Sequence, residues 1–163
     1  MTKPEYAMTA ELDFRLRTLN ESYAACVDDG ELERWPEYFV EDALYRITSR
    51  ENHSQGLPLS EIYCVGVGMM KDRATAIQKT TVFEVRPLRH IIGGPRLLAI
   101  DGDRISVRTN FTIIESPSDA EPRVLMVGRY LDTVLERDGS LLFAERTCVY
   151  DNYRINTSLL FPV

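Results

Sequence analysis

Among the 163 residues are two histidines, and the side chains considered for acid–base chemistry are Tyr23, Asp42, Tyr45, His53 and His90. Tyr23, Tyr45 and His90 are the candidates for a site inside a cavity, because phenol and imidazole groups can carry protons. Each also has a structural interpretation, since a tyrosine can be a core aromatic with a bonded hydroxyl and His90 can be a hydrogen-bonded strand residue. Asp42, just before a predicted strand, is expected to make an Asx turn. The sequence leaves these interpretations open.

Motifs for metals and for nucleophilic catalysis are absent from the sequence. It has no Cys-x-x-Cys, no His-x-x-x-His and no G-x-S-x-G. None of the three cysteines belongs to a Cys-x-His pair, which a Rieske cluster requires. A mononuclear iron site with two histidines would need both His53 and His90. The sequence therefore predicts no catalytic, metal-binding or cofactor-binding residue on this chain.

Size and charge narrow the class of protein further. A single domain over residues 1–163 is expected, with an average globular composition of 44% hydrophobic and 27% charged residues. The net charge of −6 argues against nucleic acid or an anionic membrane as a partner. The three scattered cysteines suit a reducing compartment, and no signal-peptide core or apolar run of about 20 residues is present. We expect a soluble cytoplasmic protein.

The predicted elements run from helices to long strands. The expected helices span residues 5–28, 31–39 and 69–82, and residues 50–59 are expected to form a polar loop. The expected strands span residues 42–49, 89–100 with a bend at Gly93-Gly94-Pro95, 104–115, 124–136 and 141–153. Tight turns are expected at Asp101-Gly102-Asp103 and Arg137-Asp138-Gly139-Ser140. The order predicts an α+β fold, a cone of N-terminal helices packed on a strongly curved antiparallel or mixed β-sheet.

Two surfaces are predicted to contact other subunits. The strand at 124–136 is apolar on both faces, whereas a sheet that is wet on one face alternates. An exposed apolar surface would be unfavourable in a monomer, so we predict a self-trimer that buries Leu131 and Leu135 on that strand and Phe161 in the apolar tail. The polar loop supplies further interface candidates, which are Arg50, Asn52, His53 and Gln55. Helices covering the strand within one monomer, and a solvated loop, are the alternatives.

Several short sequences, taken in their order, resemble the small (beta) subunits of aromatic-ring-hydroxylating oxygenases over nearly the whole chain. They are Trp35–Ile47 (WPEYFVEDALYRI), Arg50-Glu51-Asn52, Gln55-Gly56-Leu57-Pro58, Asp72-Arg73, Arg89-His90-Ile91 with Gly93 and Pro95, and Arg146–Asp151 (RTCVYD). The small subunits of salicylate, terephthalate and anthranilate oxygenases are the most similar. No single motif is diagnostic, so the resemblance depends on their shared order.

The resemblance implies an NTF2-like cone with a mainly structural role in the catabolism of aromatic compounds. Aromatic carboxylates are the expected substrates of the complex. It implies a large (alpha) subunit that carries a [2Fe-2S] Rieske cluster and a mononuclear Fe(II), and a cytoplasmic α3β3 assembly. A reductase or ferredoxin would act on the large subunit. The alternative is a free-standing SnoaL-like cone enzyme, a dehydratase or isomerase that uses Tyr45 and His90, and a third class is a small-molecule binding domain.

Overall fold

The computed structural model describes residues 7–80, 87–155, 159 and 161–163, with no side-chain description for residue 80. The helices are α1 (Ala10–Asp28), α2 (Arg50–Ser54) and α3 (Gly66–Thr80), with a 3₁₀ turn at Trp35–Tyr38. The strands are β1 (Phe39–Ser49), β2 (Ile62–Val65), β3 (Leu88–Ile92), β4 (Arg96–Asp101), β5 (Arg104–Glu115), β6 (Arg123–Arg137) and β7 (Ser140–Tyr150). The order is as predicted in outline: β1 lies between α1 and α3, and the long strands β5, β6 and β7 follow the last helix.

All seven strands belong to one mixed sheet in the order β2-β1-β7-β6-β5-β3, with β4 also paired to β5. The pairing of β1 with β7 is parallel, and the other pairings are antiparallel. We call the face that packs against α1 the inner face, and its side chains include Tyr45, Tyr130 and Arg146. The opposite, outer face includes Arg46 and Leu131, which alternate with inner residues along β1 and β6.

The hairpin turns were predicted correctly from local sequence. Asp138 and Gly139 both have positive φ angles, 51° and 79°, in the two-residue turn between β6 and β7. Such a turn matches the right-handed twist of the paired strands. Gly102 has a φ of 59° in the turn between β4 and β5. Glycine is favoured at these positions because it has no Cβ to clash in the left-handed region.

Three element predictions were wrong, and several other predicted ends are shifted by a few residues, since α1 begins at Ala10 and β7 ends at Tyr150. The predicted strand at 89–100 is two strands, β3 and β4, which pair with successive parts of β5. The break falls at Gly93-Gly94-Pro95, where proline cannot donate to a ladder. A Cβ on Gly94 would lie 2.6 Å from a guanidinium nitrogen of Arg17, so this loop packs tightly on α1. The ends of the predicted helices at 5–6 and 81–82 lie outside the described residues.

The other two errors concern the connections at each end of β1. The predicted helix at 31–39 is reduced to the 3₁₀ turn, because Phe39 already begins β1 and pairs with Phe143. The predicted loop at 50–59 begins instead with α2, which is capped by Ser49. The Ser49 hydroxyl oxygen accepts a hydrogen bond from the Asn52 main-chain N–H at 3.1 Å. This is the usual N-cap arrangement, and it positions α2 directly after the strand.

Candidate functional site

Tyr23 and Tyr45, two of the predicted cavity residues, meet on the inner face. Tyr23 lies on α1 and Tyr45 on β1, and both side chains are fully buried. Their hydroxyl groups donate hydrogen bonds to the same main-chain oxygen, that of Val163, at 2.8 and 3.0 Å. The Tyr45 hydroxyl oxygen also accepts a hydrogen bond from the Val163 N–H at 2.8 Å. The two tyrosines therefore hold the end of the described chain inside the cone.

This arrangement explains the chemistry of the two phenol groups. Burial raises the pKa of Tyr23 and of Tyr45 well above the usual value of 10.0. Both hydroxyl groups stay protonated near neutral pH. Each donates its hydrogen to the main-chain oxygen of Val163. The geometry supports the structural interpretation of these residues, as core aromatics with bonded hydroxyls.

His90, the third predicted cavity residue, is held by a different partner. Its Nδ1 lies 2.5 Å from Oδ1 of Asp28, and its main-chain N–H donates to Oδ2 of Asp28 at 2.9 Å. Both side chains are buried, with exposed fractions of 0% and 5%. Asp28 is the last residue of α1, so the pair fastens the end of this helix to β3. Within the described residues no hydrogen bond joins His90 to Tyr23 or Tyr45.

A buried ion pair that sequence reasoning missed lies between these groups on the inner face. Arg146 Nε and Nη2 donate to the two carboxylate oxygens of Asp132 at 2.9 and 2.8 Å. Arg146 Nη2 also donates to the side-chain oxygen of Asn20 on α1. The guanidinium carbon lies 3.8 Å from the ring centre of Phe143 and 4.0 Å from that of Tyr130. Cation–π contact and a bidentate carboxylate together compensate for its burial.

The pKa values of both members of this buried pair are raised, for different reasons. Burial outweighs the attraction of Arg146 and raises the pKa of Asp132. Burial alone disfavours charge on Arg146, but the adjacent Asp132 carboxylate outweighs it and the pKa of the guanidinium is raised. The available signal in the sequence was alternation, which places Asp132 and Arg146 inward on strands whose other inner residues are apolar. Alternation does not show that two inward residues are cross-strand neighbours, and only the register of β6 with β7 does.

Two of the predicted interface residues lie on or against the outer face. Leu131 on β6 is half-buried there. His53 on α2 lies against the same face, because its Nδ1 is 3.4 Å from Nη2 of Arg46. Burial, with Arg46 and Arg129 nearby, lowers the pKa of His53 below 6.5. Three outward arginines around Leu131 were not identified from the sequence, namely Arg46, Arg108 and Arg129.

The other predicted interface residues have varied surroundings. Arg50 is exposed and forms an ion pair with Asp151 at 3.6 Å, while Gln55 is exposed and Asn52 is half-buried. Leu135 is only 6% exposed within one copy of the chain, so its own fold already covers it. The tail is also covered in part, since Val163 is fully buried and Phe161 is half-buried. Leu131 therefore remains the better probe of a subunit contact.

Metal-ligating side chains do not converge in the part of the chain that the structure describes. No group of three or more His, Cys, Asp or Glu residues there is arranged to hold a metal ion. Cys26, Cys64 and Cys148 are each buried and unpaired with one another. The side chains that the structure describes therefore do not fit a Rieske cluster or a mononuclear iron. Among the same described residues, no helix combines the length and apolar character needed to cross a membrane.

The fold defines the class of protein. Residues 10–147 match the family model described as a SnoaL-like domain. A solved structure from Novosphingobium aromaticivorans, assigned as the beta subunit of an aromatic-ring-hydroxylating dioxygenase, has a TM-score of 0.84 and 34% identity, covering 91% of this chain and 94% of that one. The predicted NTF2-like α+β cone is thereby confirmed.

Sequence similarity identifies the family within that class. The small subunit of anthranilate 1,2-dioxygenase from Burkholderia cepacia is 31% identical over 150 residues, covering 92% of this chain and 93% of the relative. The beta 1 subunit of the terminal oxygenase component of terephthalate 1,2-dioxygenase from a Comamonas species is 30% identical, covering 93% and 98%. The chain belongs to the family of small (beta) subunits of aromatic-ring-hydroxylating dioxygenases.

Proposed function

We propose that this chain is the structural small subunit of a multicomponent oxygenase that hydroxylates an aromatic carboxylate during aromatic catabolism. The observation that carries the proposal is the similarity to small subunits over 92–93% of the chain. Both relatives are named for substrates that carry a carboxylate on an aromatic ring, anthranilate and terephthalate. A structural rather than a catalytic role is supported by two observations. The hydroxyls of Tyr23 and Tyr45 are bonded to Val163, and metal ligands do not converge among the described residues.

Small subunits of this family partner with large oxygenase subunits, and we infer the same for this chain. The large subunit would hold the Rieske [2Fe-2S] cluster and the mononuclear Fe(II), and a reductase or ferredoxin would deliver electrons to it. We infer a cytoplasmic α3β3 complex in which three copies of this chain associate. The free-standing enzyme using Tyr45 and His90 is not favoured, because Tyr45 is bonded to Val163 and His90 to Asp28.

Co-expression with a large oxygenase chain, sought in the reading frames that neighbour this gene, tests the proposal. We expect the two chains to copurify in equal amounts, with iron and a Rieske absorption spectrum in the complex and not in this chain alone. Ring hydroxylation of an aromatic carboxylate should require the large chain. Stoichiometric iron in the isolated chain, or failure of the two chains to associate, would refute the proposal.

A further inference from the structure

The outer face carries a row of arginines that crosses five strands. The register pairs Arg46 on β1 with Thr147 on β7, and Thr147 with Leu131 on β6. Leu131 pairs in turn with Arg108 on β5, and Arg108 with Arg96 on β4. Directly paired residues point to the same face of a sheet, so all three arginines of this row face outward. At about 4.8 Å per strand, Arg46 and Arg108 lie about 14 Å apart with Leu131 between them.

A fourth arginine extends this cluster along β6. Arg129 is two residues from Leu131 and therefore points to the same face. Arg96, Arg108 and Arg129 form no ion pair and no side-chain hydrogen bond within the residues that the structure describes. Like charges placed this close repel one another, and here they do so in a chain whose net charge is −6. The cluster therefore fits a carboxylate partner from another molecule.

The centre and flank of this cluster have the composition of a protein interface. Leu131 is half-buried between the arginines. Ile91 and Val127 lie on the same face, each paired with Thr112 of β5, and are 55% and 42% exposed. Interfaces are enriched in arginine and combine an apolar centre with a polar rim. We call Arg96, Arg108, Arg129 and Leu131 the arginine face.

The chain also displays a matching pair of carboxylates. The register of β1 with β7 shifts between Phe39 and Leu44, and Glu41 and Asp42 lie in this irregular segment. Both residues are exposed, and neither side chain forms an ion pair or hydrogen bond within the described residues. A bulge commonly re-aims side chains away from the regular sheet. Glu41 and Asp42 line a surface groove that also contains Arg104 and Arg137, and neither arginine pairs with these carboxylates.

We propose that the arginine face of one copy docks on Glu41 and Asp42 of a second copy of this chain. The contact joins two different surfaces, which is the heterologous contact that a threefold ring requires. The inference rests on the self-association in the proposed function and adds which surfaces form it. Charge complementarity of this kind fixes the register of a contact and excludes incorrect ones.

A charge-swap series tests the contact by light scattering and sedimentation, on the chain alone and with its large partner. The variant Arg108→Glu/Arg129→Glu and the variant Glu41→Lys/Asp42→Lys should each raise the concentration for half-assembly at least tenfold. The variant with all four changes keeps the net charge and should recover assembly to within about threefold of the original chain. A tenfold change corresponds to about 1.4 kcal/mol.

Controls separate docking from folding. Lys71 and Arg154 are exposed and lie outside the arginine face, so Lys71→Glu/Arg154→Glu should leave assembly unchanged. Thermal unfolding checks each variant, and if the arginine variant does not fold, the exposed carboxylate variant still decides. A monomeric original chain in both preparations, unchanged assembly in either variant, or no recovery in the four-residue variant would overturn the inference. Failure of the original chain to associate with the large chain would instead refute the proposed function.

Discussion

Breaking the buried ion pair between Arg146 and Asp132 should destabilise the fold strongly. In the variant Asp132→Asn, the guanidinium keeps its charge and its bond to Asn20 but loses the carboxylate that neutralises it. Both side chains of the pair are 0% exposed, so water cannot replace the lost partner. Removing one partner of a buried pair costs about 3–5 kcal/mol. For a domain of this size we expect the melting temperature to fall by about 10 °C.

Urea and thermal unfolding, followed by circular dichroism at pH 7, would measure this loss against a matched control. Asp103 pairs with Arg137 at 3.2 Å, but their side chains are 64% and 47% exposed. Asp103→Asn should therefore cost less than about 1 kcal/mol. Equal losses for Asp132→Asn and Asp103→Asn would refute the reasoning.

A double replacement provides a second check on the same pair. Asp132→Leu/Arg146→Met removes both charges, so no buried charge is left without a partner. Replacing a buried ion pair by apolar residues is often neutral or stabilising. The double variant should therefore be more stable than Asp132→Asn, although it changes two residues. A greater loss in the double variant would mean that packing, not charge, dominates at this position.

Two further predictions concern hydrogen bonding and titration. Tyr45→Phe removes the acceptor of the buried Val163 N–H and should lower the free energy of unfolding in urea by about 1–3 kcal/mol. The control Tyr38→Phe should cost less, because the Tyr38 hydroxyl is near solvent. Equal losses in the two variants would contradict this. His53 should titrate below pH 6.5 by NMR, and Arg129→Gln should raise its pKa, since burial and the nearby arginines lower it. The folded state binds the His53 proton more weakly than the unfolded state does, so protonation of His53 lowers the stability of the fold as the pH falls through 6.5. An unchanged His53 pKa in Arg129→Gln would show that Arg129 does not act on this histidine.

Features that depend on neighbouring residues could be predicted from the sequence. The turn at Asp138-Gly139 follows from the positive φ angles that a two-residue hairpin requires. The two faces of β6 follow from alternation, which correctly places Tyr130 and Asp132 on a different face from Leu131. The family resemblance was also visible in the sequence, as the order of short motifs along nearly the whole chain, and the similar small subunits confirm it. For the turn and the alternation, the determining interactions lie within a few residues of one another.

Features that join distant parts of the chain were decided by the tertiary structure. The parallel pairing of β1 with β7 brings Tyr45 beside Arg146, which is 101 residues later in the sequence. Val163 meets Tyr23 across 140 residues, and Arg146 meets Asn20 across 126. The arginine face depends on the register of three strands, β4, β5 and β6. Local preferences assign a residue to a face, but cross-strand partners are set by packing the whole core, because shifting one strand by one residue would exchange its buried and exposed side chains.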